Sequence, residues 1–133
     1  MDEITSKKNK SLPISILILL VTEFIVGTLA SLYQEIPEGI ARNDVYKPIG
    51  IIFIHVVVAL ALFILSFAYM LQMKTQKQSK KALGASLGGF TCIIIALISG
   101  VMFVETSNDI YAFTMMLFSL GALLSYAQIV FRK

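Results

Sequence analysis

The sequence predicts an all-α integral membrane bundle of four transmembrane helices, with the N and C termini cytoplasmic. Three observations carry that prediction. Of 133 residues, 57% are hydrophobic and only 14% charged, whereas a soluble domain is about half apolar and about a quarter charged. Four apolar stretches stand out, at about 12–33, 48–73, 82–104 and 109–131; each reaches the length of about 20 residues that a helix needs to cross a hydrocarbon core. Finally, the basic residues sort to one side of those stretches.

The first stretch follows Lys7, Lys8 and Lys10, as the core of a signal peptide would. It is longer than a signal core of about 7–15 residues, and no small-x-small cleavage pattern follows it. It therefore reads as a retained helix behind a tail at 1–11, with 12–133 forming a single domain. In lipid every backbone polar group must be satisfied within its own segment, so runs of this length are helical. The alternation of a membrane β-barrel is absent.

Lys74, Lys77, Lys80 and Lys81 lie between the second and third stretches, and Arg132 and Lys133 close the chain. The other two connections hold Arg42 and Lys47 among Glu35, Glu38, Asp44, Glu105 and Asp109. The positive-inside rule then puts both ends of the chain in the cytoplasm. The net charge of +3 is thus a matter of topology, and no nucleic-acid partner is expected. The partners expected are the lipid bilayer of the cell membrane and either a second membrane protein or further copies of the chain.

Pro48 opens the second stretch, where its missing N–H is harmless, and Pro37 and Gly39 break the chain before it. Tyr33, Tyr46 and Tyr111 fall near outer helix ends and Tyr69 and Tyr126 near inner ones, as expected of rings that favour the membrane interface. Asn43-Asp44-Val45-Tyr46 and Asn108-Asp109-Ile110-Tyr111 lead into the second and fourth helices; capping accounts for both, and a duplicated helical hairpin is the alternative, though the helices themselves show little repeat. The connection around Thr106 to Asp109 is short enough to make the third and fourth helices antiparallel neighbours.

The third helix carries small residues at every fourth position, Gly84, Gly88, Cys92, Ala96 and Gly100. They form a groove that lets another helix approach closely. Gly27 and Ser31, continuing down to Glu23, make a shorter ridge on the first helix, and Gly121 and Ser125 one on the fourth. Cys92 is the only cysteine, which leaves no internal disulfide and no paired-cysteine metal site.

Two ionisable residues interrupt the apolar runs, Glu23 and His55, the latter being the only histidine. Such residues are expensive in lipid and face the bundle interior, which makes them the candidate site. Glu23 lies ten residues from Tyr33 and His55 seven from Pro48, or roughly 15 Å and 10 Å from the outer ends. Consecutive antiparallel helices can bring them together, with Thr22, Thr28, Ser31 and Thr114 as polar neighbours.

A carboxylate beside an imidazole supports a proton relay or fixes the tautomer of a ligand histidine. An imidazole in an apolar bundle also suits haem, with Met102, Met115 or Met116 as the second axial ligand; methionine is equally a core filler. No phosphate loop, nucleophile elbow or HExxH is present, and no enzyme activity is expected. Three readings follow: a non-catalytic membrane subunit or structural partner, a haem-binding or redox-associated protein using His55, and a proton- or solute-conducting oligomer using Glu23 and His55.

The pieces ASLYQEIPEG, IFIHVVVALALFILSFAYML and SGVMFVETSNDIYAFTMMLFSLGALLSYAQIVF resemble a family of small four-helix prokaryotic membrane proteins. That family has a lone histidine in its second helix and a G-x-x-F stretch closing its third, here Gly100 to Phe103. The resemblance runs from Ala30 to Phe131 and implies the fold. The layout is also similar to one half of haem A synthase, whose helix-borne histidine ligates haem. Here Ile52 and Val56 stand where that family has its Glu and Arg, and its second histidine and its loop cysteines are missing.

Overall fold

The computed structural model describes residues 2–33, 49–75, 79–106 and 108–131. They form four helices, α1 (Asp2–Tyr33), α2 (Ile49–Thr75), α3 (Lys80–Thr106) and α4 (Asp109–Phe131). Each contains a stretch long and apolar enough to cross a membrane, from Ser11–Leu29 in α1 to Asp109–Phe131 in α4. α1 extends back to Asp2, through the segment expected as a tail. Pro13 lies inside it and is buried, although its ring removes one rung of the hydrogen-bond ladder.

α3 and α4 begin at capping side chains, that of α4 being the one the sequence indicates. Ser79 accepts the Ala82 N–H at 3.3 Å and Asn108 accepts the Ile110 N–H through Oδ1 at 3.0 Å, each satisfying a donor that the first turn leaves orphaned. The copy of this motif at Asn43 and Asp44 and the proline at 48 lie outside the described residues.

The helices form a ring in chain order. α1 packs on α2 and α4, and α3 packs on α2 and α4; among the described residues the diagonal pairs make no close backbone approach, and α2 and α4 meet only through side chains at the centre. α3 and α4 share the most extensive interface, as their two-residue connection requires. One core runs through the ring, with Ile16 and Leu20 of α1, Leu62, Tyr69 and Met73 of α2, Ile93 of α3, and Ala122 and Tyr126 of α4. Phe90 of α3 sits against Phe63 and Phe67 of α2, with ring centroids 5.5 and 5.7 Å apart. The bundle has a basic end, where Lys74, Lys80 and Lys81 lie, and an opposite end.

Most of the apolar surface points outward. Ile18, Phe53, Ile64, Ile98, Ile110 and Leu124 are all more than half exposed. In water an apolar exterior this continuous would aggregate; it is the exterior expected of a bundle whose solvent is hydrocarbon. Tyr69 and Tyr126 depart from expectation. They are 4% and 0% exposed and their rings pack on each other at 6.2 Å, so they are core residues and not interface anchors.

The small residues of α3 do not act as one ridge. Cys92 meets Gly121, where an added Cβ would lie 3.1 Å from the sulfur, and Gly100 meets Met115, with the corresponding distance 3.3 Å. Ala96 is half-buried. Gly88 has only Ser125 Oγ at 3.9 Å, and a Cβ on Gly84 would meet nothing within 4 Å. The tightest position is Gly89, where a Cβ would fall 2.7 Å from the Tyr126 ring.

Candidate functional site

Glu23 and His55 come together. Their helices are neighbours, and His55 Nδ1 lies 3.0 Å from Glu23 Oε1. Gly27 makes this possible. It stands one turn beyond Glu23 on the same face of α1, and a Cβ there would lie 3.0 Å from His55 Cε1. The imidazole therefore seats in a notch beside Gly27, where a Cβ would push the ring aside, with the carboxylate on the adjacent turn.

The pair is enclosed but not fully satisfied. The His55 side chain is 22% exposed and that of Glu23 11%. Although Nδ1 and Oε1 are close, the ring N–H is not aimed at the oxygen, and Nδ1 and Oε2 both lack an aligned hydrogen-bond partner.

The expected polar neighbours are occupied elsewhere. Thr22 and Thr114 donate to the carbonyls of Ile18 and Ile110 in their own helices, and Thr28 donates to that of Phe24. The Ser31 side chain lies outside the described residues. On the side facing the basic end, the next residues inward are apolar. Ile16 and Leu20 of α1 and Leu62 of α2 are 0%, 4% and 2% exposed.

The haem reading would use His55 with Met102, Met115 or Met116. Glu23 on Nδ1 would orient the ring and leave Nε2 to a metal. Met115, however, places its sulfur on Gly100 of α3, and Met116 is 44% exposed. Both lie on α4, whereas His55 lies on α2. Among the described residues no group of three or more metal-ligating side chains forms.

A second polar cluster, not anticipated from the sequence, occupies the half of the bundle nearer the basic end. The Tyr126 hydroxyl interacts with those of Ser66 on α2 and Ser86 on α3. All three residues are fully buried, and none of the hydroxyls reaches full hydrogen-bond geometry. The available signals were Ser66 alone in an oily run, Ser86 three residues before Gly89, and the Gly88-Gly89 doublet.

Comparisons with protein-family models, with curated proteins and with solved structures find no match to this chain.

Proposed function

We propose that this chain is a small multi-pass subunit of the cell membrane, without catalysis of its own, whose Glu23–His55 pair takes up and releases a proton inside the bundle. Both termini face the cytoplasm in this reading, so the pair lies in the outer half of the membrane. In this reading protons reach the pair from the outer side, the nearer membrane face.

The 3.0 Å approach of Nδ1 to Oε1 carries the proposal. An ionisable pair is expensive to bury, and an apolar pair would join α1 to α2 as well. A carboxylate and an imidazole in contact can pass a proton between them. Each proton taken up or released changes the charge between α1 and α2 and so biases how the two helices sit.

Conduction through a single bundle is disfavoured by the buried apolar layer of Ile16, Leu20 and Leu62. It begins close below the pair and offers no proton carrier. A site charged from one side is a sensor or a regulatory element of an assembly rather than a through-path.

The test uses the fact that there is one histidine. Protein carrying 15N-histidine and side-chain 13C-glutamate is titrated by NMR in lipid bilayers. If the two groups share a proton, Glu23→Gln should change the His55 curve. A His55 curve identical in wild type and Glu23→Gln means that the two groups do not share a proton.

A further inference from the structure

Between the first turns of α3 and the last turns of α4, at the basic end, lies a cleft of about 430 Å³ lined by Lys81, Ala82, Ala85, Gln128, Ile129 and Phe131. We propose that it binds an anionic phospholipid. The inference rests on the membrane reading above, under which this end of the bundle meets the cytoplasmic leaflet.

The lining divides by chemistry. Ile129, Phe131, Ala82 and Ala85 form an apolar wall, and Phe131 is 75% exposed. Lys81 and Gln128 supply the polar groups, a cation and an amide with two N–H donors. That combination matches a molecule with hydrocarbon at one end and a phosphate at the other. Lys80 is exposed next to Lys81 and extends the positive rim. Among the described residues no acidic side chain lines the cleft.

The cleft owes its volume to small side chains. Ala82 and Ala85 are three residues apart and so share a face of α3. Larger residues there would close the space against Ile129. The volume falls in the range of about 300–1,000 Å³ typical of small-ligand sites, which suits a headgroup and the start of its chains. The position is right as well. The apolar span of α3 begins at Lys80 and that of α4 ends at Phe131, so the cleft sits where headgroups meet hydrocarbon. Basic pockets between helices at that level are suited to anionic headgroups.

The experiment reconstitutes the full chain in vesicles of equal parts phosphatidylglycerol and phosphatidylcholine, extracts it in mild detergent, and counts retained lipid by native mass spectrometry. Wild type should retain phosphatidylglycerol in preference to phosphatidylcholine. Lys81→Gln should lower that retention about fivefold, the equivalent of one juxtamembrane lysine. Ala85→Leu, which fills the cleft and keeps every charge, should lower it by a similar factor. Lys74→Gln removes an exposed cation at the same end but outside the cleft, and should leave retention unchanged.

Equal losses in Lys74→Gln and Lys81→Gln would reduce the effect to diffuse surface charge and overturn the site. Equal retention of both lipids, or full retention in Ala85→Leu, would overturn it too. Recovery of the chain in the soluble fraction after alkaline washing would instead defeat the membrane reading itself.

Discussion

The two hairpins of the bundle are joined by opposite means. α3 and α4 meet through small residues and sulfur, with Cys92 against Gly121, Gly100 against Met115, and Gly89 beneath the Tyr126 ring. α1 and α2 meet less extensively, and their most specific contact is the Glu23–His55 pair over Gly27. The first interface works by close approach, which gains dispersion and leaves no charge to compensate. The second spends its one glycine notch on seating an imidazole. Under the proposed function, the closely packed α3–α4 pair would hold its place while the α1–α2 pair responds to the proton.

That contrast can be broken at defined positions. The largest effect is expected from Gly89→Val. Its Cβ would sit 2.7 Å from a fully buried tyrosine ring that has no room to retreat. Overpacking of this kind costs about 3 kcal/mol, read as a fall in the denaturation midpoint in detergent. A loss no greater than that of Gly84→Val would mean that the α3–α4 interface is not close-packed there.

Gly27→Val comes next, at about 1–2 kcal/mol. Its Cβ also strikes a ring, at 3.0 Å, but His55 is 22% exposed and can swing aside. The diagnostic is spectroscopic: the His55 titration should become that of the Glu23→Gln protein. A His55 still coupled to Glu23 would show that the notch does not hold the ring.

A double-mutant cycle of Glu23→Ala and His55→Ala should return a coupling of about 0.6 kcal/mol, the usual scale for polar contacts between helices in a membrane. A coupling above about 2 kcal/mol would argue for a structural clasp and against the proton-exchange reading. The smallest effect belongs to Gly84→Ala. With no atom within 4 Å of the new methyl, the change should stay within about 0.5 kcal/mol. A large loss there would reveal a second molecule packed on that face.

The boundaries of all four helices were readable to within a few residues, apart from the extension of α1 to Asp2, because hydrocarbon length and capping act locally. Asn108 caps α4 as its side chain type implies. Glu23 and His55 were readable as a pair because an ionisable group in an apolar run has few places to go. The roles within the ridge on α3 were not. Gly84 and Gly88 satisfy the same spacing as Cys92 and Gly100, yet only the latter two lie hard against α4. Gly89, one residue off that spacing, is the position that matters most. Tyr126 was legible as a ring near a helix end but not as the centre of a buried hydroxyl cluster.

The sequence by itself determined the number, length and order of the helices and the presence of two ionisable groups among apolar ones. Only the tertiary structure decided which face of each helix turns inward. In water that choice is written as a polar stripe opposite an apolar one. Helices that are apolar all round carry no such stripe, since the outward face is as oily as the inward one. The choice then falls to shape and to a few polar groups, and those select their partners only once the helices are side by side.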